Sequence, residues 1–221
     1  MNWHEEVLDD DGRSAAAVLA EILGGAFYLA GGTGLALRLG HRVSLDLDLF
    51  SAEGLLDAAE RDRIIAALGT AARLRILESK DGTCHLQVGG TMVSLFRYRY
   101  PLLQPVAKWR GLPVASTRDI AAMKVSAIVA RGSRRDFVDL HAVSGRLGLQ
   151  AVLAACKQKF VAHDDFVMQA LRALVYFEDA EKEPMPRLLK EVAWDKVTAY
   201  FDREVPQALR AEVRGSRSGR R

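Results

Sequence analysis

Apolar and polar positions divide the 221-residue chain into two unlike halves. Residues 14–25 have helical composition and stop at Gly24-Gly25. Phe27-Tyr28-Leu29-Ala30 reads as a short buried strand that runs into the turn Gly31-Gly32. Thr33 is placed to cap a helix over 34–39, which Gly40 would end. In 45–50 apolar and acidic residues alternate, predicting a strand. Leu45, Leu47 and Leu49 would face a core, with Asp46 and Asp48 together on the other side. Residues 53–69 carry a helix-spaced apolar set, Leu55, Leu56, Ala59, Ile64, Ala67 and Leu68. Strand-like runs follow at 73–77, 84–88 and 92–98, separated by Asp81-Gly82 and by Gly89-Gly90, a hairpin signal. A last short strand is expected at 112–115. From Ser116 onward the pattern turns helical, at 117–131, 135–146, 149–160, 164–179 and 189–204, interrupted by Pro184 and Pro186.

The expected fold class is therefore α/β (α+β): a mixed sheet flanked by helices over 1–115, then an all-helical half over 116–209. Five Arg against one Glu between Arg210 and Arg221 carry more than the whole net charge of +3. Residues 210–221 are expected to be a basic, disordered tail, with a nucleic-acid contact as the sharper alternative. A content of 49% hydrophobic and 27% charged residues suits a soluble globular protein. No apolar run approaches the roughly 20 residues of a membrane span, so no membrane partner is expected. The acidic start Met1-Asn2-Trp3-His4-Glu5-Glu6 has no apolar signal segment, making the cytoplasm the default. Cys84 and Cys156 are expected as buried thiols, since two cysteines make no zinc framework.

Chemistry concentrates between Gly31 and Phe50. A glycine turn lets main-chain N–H groups and the Thr33 hydroxyl come close to a phosphate, and the helix that it opens adds its positive end. Two carboxylates side by side repel, and burying them unpaired is costly. A divalent cation relieves that cost, and Mg²⁺ is typically held by one or two carboxylates plus substrate phosphates. Gly31, Gly32, Thr33, Asp46 and Asp48 thus suggest a nucleoside triphosphate site with Mg²⁺ (or Mn²⁺).

The pattern resembles the nucleotidyltransferase superfold: Gly, a second small residue, Ser or Thr, a spacer, then Asp-x-Asp. More narrowly, Gly31-Gly32-Thr33-x-Leu35-Ala36-Leu37 with Arg42-x-Ser44-x-Asp46-x-Asp48-Leu49-Phe50 resembles the AbiEii/AbiGii nucleotidyltransferases of abortive infection and toxin–antitoxin systems. Asp119-Ile120-Ala121-Ala122-Met123-Lys124 and Arg135-Asp136-Phe137-Val138-Asp139-Leu140 are similar to that group's downstream motifs. The resemblance implies a nucleotidyltransferase domain and a helical domain completing the active-site cleft. Asp46 and Asp48 would bind metal, and Gly31, Gly32, Thr33, Ser44 and Lys124 would bind nucleotide. Lys124 would offset charge on the leaving pyrophosphate. Asp139 would be the further active-site acid, with Asp136 second. The implied acceptor is the 3′ end of tRNA, and the implied partner a cognate antitoxin. Ser44 sits where such toxins are silenced by phosphorylation, which would place negative charge beside two carboxylates.

One position departs from the superfold. Where many members carry a third strand carboxylate to help deprotonate the acceptor, Val93-Ser94-Leu95-Phe96 offers Ser94. Either Asp139 does that work or base catalysis is weak. Of His41, His85, His141 and His163, only His141 is retained, as an accessory group. Arg97, Arg99, Lys108 and Arg110, interleaved with Phe96, Tyr98, Tyr100 and Trp109, are a candidate acceptor surface. The alternatives are transfer to a protein or small molecule, and a catalytically silent nucleotide-binding or interaction module.

Overall fold

The computed structural model describes residues 2–51, 53 and 56–218. A single 3-10 turn, Glu5–Val7, precedes α1 (Asp10–Leu23), whose first turn is capped by the Asp9 carboxylate accepting from Gly12 N. Then follow β1 (Phe27–Leu29), α2 (Gly31–Leu39), β2 (Leu47–Ser51) and α3 (Ala58–Ala71). Strands β3 (Leu74–Lys80), β4 (Thr83–Val88), β5 (Thr91–Phe96), β6 (Ala107–Trp109) and β7 (Leu112–Val114) complete the sheet. The helices are α4 (Thr117–Arg131), α5 (Arg134–Leu147), α6 (Leu149–Lys159), α7 (Phe166–Ala173), α8 (Glu178–Glu181) and α9 (Trp194–Ser218).

The chain divides into two compact units, 1–120 and 121–221, so the division falls inside α4 rather than ahead of it. In the first unit all seven strands form one mixed sheet, in the order β3-β4-β5-β2-β1-β7-β6. β2 is central, antiparallel to β1 and parallel to β5. Leu19, Leu29, Leu37, Leu47, Leu49, Ile64, Leu68, Val93 and Leu95 are among the side chains of its core. In the second unit Phe137 is fully buried, and its ring meets those of Phe177, Trp194 and Phe201 at 5.2–6.0 Å. Both cysteines are buried and unpaired. Among the described residues no helix is long and apolar enough to cross a membrane.

Three expectations are corrected by tertiary contacts. The strand foreseen over 45–50 begins only at Leu47, and Leu45 is 52% exposed. β5 pairs with β2 from Leu47 onward, while Ser44 N bonds to Val7 O outside the sheet, so Leu45 and Asp46 lie ahead of the β2 ladder. The foreseen helix over 53–69 starts at Ala58, capped by Asp57, and Leu55 lies outside the described residues. The basic end, foreseen as disordered from 210, is helical to Ser218. Val197, Phe201, Val205 and Ala208 bury one stripe of α9, and Glu212 meets Lys157 of α6 at 2.6 Å. Arg composition alone could not disclose that stripe. The last three residues, 219–221, lie outside the described residues.

Candidate active site

In the first unit the glycine turn and the acidic strand are built against each other. Gly31 has φ +59, a left-handed conformation that glycine accepts freely. The Asp48 carboxylate occupies the space that a Gly31 side chain would need, with Asp48 Cβ 3.0 Å from the Cβ position. Both the backbone angle and the neighbour therefore require glycine at 31. Ala30 N bonds to Asp48 O at 3.0 Å, which sets the height of Asp48 beside the start of α2. Gly32 makes the same allowance for Arg42, whose guanidinium stands where a side chain would project. Arg42 is 5% exposed, and its Nη1 donates to Val43 O at 2.9 Å.

Thr33 is buried, and its hydroxyl contacts both Ser44 Oγ, at 2.8 Å, and the main-chain oxygen of Asp46. A carbonyl only accepts, so the Thr33 proton goes to Asp46 O and Ser44 donates to Thr33. Thr33 thus clamps the backbone of Asp46 from within. Ser44 is 9% exposed. Asp46 is exposed and stands one residue ahead of β2, so strand alternation orients Asp48 alone.

The hard oxygen donors Asp46 and Asp48 fit Mg²⁺ or Mn²⁺ better than a soft-ligand metal. Among the described residues no group of three or more His, Cys, Asp or Glu forms a metal cage. A cation held by two carboxylates would need further oxygens from a ligand, as Mg²⁺ commonly does.

In the second unit Lys124 is 5% exposed and lies 2.7 Å from Asp136 and 2.6 Å from Asp139, both fully buried. An ammonium has three donors, so these carboxylates do not exhaust it. Asp136 also receives Arg131 Nε at 2.8 Å and Ser133 Oγ at 2.9 Å. Burial opposes its ionisation, but the Lys124 charge and the Arg131 and Lys124 hydrogen bonds outweigh that and hold its pKa below 3.8. A depressed folded-state pKa gives stability that is full above the unfolded value and lost as pH falls through the folded one. The unfolding-temperature gap between wild type and Asp136→Asn should therefore narrow from roughly pH 5 to pH 3. A gap independent of pH in that window would show that the ion pairs do not stabilise the fold. His141 packs edge-on against Tyr200 at 5.2 Å, and burial, with the nearby Arg203 charge, lowers its pKa.

Several members of the foreseen basic and aromatic acceptor surface have partners within the fold. Arg97 makes two hydrogen bonds to Asp81, at 2.8 and 2.6 Å. Trp109 is buried with Nε1 donating to Glu5, and Arg110 also binds Glu5. The aromatic members join a ladder instead: Phe50 meets Phe96 and Tyr98 at 5.2 Å, and Tyr98 meets Tyr100 at 5.2 Å. Sequence reasoning gave no task to Asp119. It is fully buried and accepts from Ser116 Oγ at 2.7 Å and Leu103 N at 2.8 Å, anchoring the 101–106 loop to the head of α4. Its position three residues after Ser116 was a readable capping signal.

The family model described as "Nucleotidyl transferase AbiEii toxin, Type IV TA system" matches residues 16–214. The chain belongs to the AbiEii nucleotidyltransferase toxin family. An uncharacterised protein of Aquifex aeolicus (strain VF5) is 38% identical over 188 residues, 83% of this chain and 88% of that protein. MenT4, a nucleotidyltransferase toxin of Mycobacterium tuberculosis H37Rv, shares the fold at TM-score 0.56 and 19% identity, over 90% of this chain and 91% of its own. A Helicobacter pylori protein provisionally assigned as a nucleotidyltransferase shares it at TM-score 0.51 and 15% identity, over 93% and 92%. As a member of the AbiEii family, the protein is a nucleotidyltransferase of toxin type.

Proposed function

We propose that this AbiEii-family protein transfers a nucleoside monophosphate from an NTP to the 3′ end of tRNA, as the toxin of a pair with a cognate antitoxin. The observation that carries the reading is the Asp48 carboxylate resting on Gly31 at the head of α2. It brings an acidic group and a glycine-opened helix start to one spot, as an NTP bound through a divalent cation requires. Asp46 and Asp48 hold Mg²⁺ (or Mn²⁺), which supplies charge neutralisation of the triphosphate. The Gly31 and Gly32 amides position phosphates, Arg42 adds positive charge beside them, and Thr33 with Ser44 fixes the backbone of Asp46. Lys124 takes the leaving-group role and Asp139 that of the additional acid, as the family resemblance implies. Their 2.6 Å contact supports treating them as one functional pair.

The test incubates purified protein with total RNA, Mg²⁺ and each α-labelled NTP in turn. Label should appear on a tRNA-sized band with one or two of the nucleotides, and expression without antitoxin should arrest growth. Label on protein alone would overturn the tRNA assignment. Harmless expression without any antitoxin would overturn the toxin role proposed for this chain.

A further inference from the structure

Ser94, the serine at the position of a third strand carboxylate, is not isolated. The parallel register of β2 and β5 sets Ser94 beside Asp48, and the antiparallel register of β4 and β5 sets His85 beside Ser94. His85 Nδ1 lies 3.0 Å from Ser94 Oγ. On the far side of the ring, His85 Nε2 lies 3.6 Å from Glu78 Oε2. Glu78 reaches that place through an irregularity. The β3–β4 register runs regularly to Ile76 opposite Leu86, then skips a residue so that Glu78, not Leu77, opposes His85. Such a bulge re-aims the side chain that follows it. Asp48, Ser94, His85 and Glu78 thus form one row across four neighbouring strands.

The order hydroxyl, imidazole, carboxylate defines a direction for a proton. The Glu78 carboxylate favours the tautomer with hydrogen on Nε2, which leaves Nδ1 to accept from the Ser94 hydroxyl. The lone pairs of Ser94 Oγ are then open to a donor. Phe96 meets the His85 ring edge-on at 5.7 Å, and Lys80 contacts Glu78 at 2.8 Å, so the central imidazole and the carboxylate each have a further neighbour. The imidazole is partly exposed, giving a received proton a way to water.

We propose that Ser94, His85 and Glu78 form a proton relay that replaces the missing strand carboxylate in nucleotidyl transfer to a hydroxyl acceptor. The acceptor oxygen bonds to the α-phosphorus while the bond from that phosphorus to the pyrophosphate oxygen breaks, and pyrophosphate leaves with the electron pair. The acceptor's proton passes to Ser94 Oγ as the serine's own proton passes to His85 Nδ1, and water later takes it from the imidazole. Ser94 touches the acceptor; His85 and Glu78 are positioning residues acting through it. The inference rests on the proposed hydroxyl acceptor.

The test measures label transfer by wild type, Ser94→Ala, His85→Gln, Ser94→Asp and the double variant Ser94→Asp/His85→Gln, with unfolding temperatures as a check on folding. Ser94→Ala and His85→Gln should each lower kcat about 10²-fold, the low end for general acid–base groups, with KM for the acceptor within about threefold of wild type. Ser94→Asp restores a carboxylate and should be at least about tenfold faster than Ser94→Ala. In that background His85→Gln should cost less than about threefold, which a merely structural histidine would not allow. An active wild type with His85→Gln harmless, or with its cost undiminished in the Ser94→Asp background, overturns the relay. A Ser94→Asp variant no faster than Ser94→Ala overturns it as well. A wild type that labels no acceptor defeats the functional reading itself, and the relay with it.

Discussion

Asp48→Asn should lower nucleotidyl transfer by about 10³-fold or more while leaving the unfolding temperature within about 3 °C of wild type. The carboxamide has the carboxylate's shape, so it can still lie over Gly31, where no side chain competes for the space. The main-chain bond from Ala30 N to Asp48 O is untouched by the change. What disappears is one negative charge. A divalent ion held there would supply several kcal/mol of transition-state charge stabilisation, and each 1.36 kcal/mol is a factor of ten. Activity is read as label transferred from an α-labelled NTP, and stability as the unfolding midpoint of the same preparation. Retention of more than about a tenth of the activity would remove Asp48 from the metal role. Asp46→Asn bears on a different question, because Asp46 is exposed and its main-chain oxygen is already held by Thr33.

Lys124→Met should destabilise the helical unit by about 3–5 kcal/mol, the cost of removing one partner from a buried ion pair. The ammonium lies within 2.7 Å of two fully buried carboxylates, so its removal strips Asp136 and Asp139 of their shared cation. Asp136 keeps Arg131 and Ser133 as donors after the change. Adding Asp139→Asn to Lys124→Met removes one of the two buried negative charges that faced the ammonium and should recover part of the loss. Thermal unfolding checks both variants, and a Lys124→Met midpoint equal to wild type would refute the structural role. Loss of activity in Lys124→Met is therefore no clean measure of leaving-group stabilisation. Lys124→Arg, which keeps the positive charge, is the better comparison for that.

The α/β half, the helical half and the acidic strand were legible because each depends on local periodicity. Helix α4 lies at 117–131 as foreseen, since its apolar pattern is uninterrupted. The hairpin at Gly89-Gly90 joins β4 and β5 for the same reason: a glycine turn between two alternating runs. The ends of elements were less legible. Leu45 looked like a core residue by alternation, yet alternation means burial only where a neighbouring strand continues the ladder. The basic terminus looked disordered by composition, although the helix that enters it is anchored just ahead of it by the buried stripe of Val197, Phe201, Val205 and Ala208.

The candidate residues from Gly31 to Asp48 stood out in the sequence, because glycines, a hydroxyl and two carboxylates close together have few other joint uses. How they work was not readable. Thr33 is tied to Asp46 O and Ser44 is buried by contacts across more than ten residues of chain. Asp136 was ranked second to Asp139, yet it is the hub of three donors, because a helix spacing tells which residues share a face and not what meets that face. The row from Asp48 to Glu78 had no sequence signal, since it depends on the register of four strands and on one skipped residue in β3. Periodicity along a single segment is written in the order of its residues. Register between segments, and the partner a buried charge finds, are set only when the chain packs.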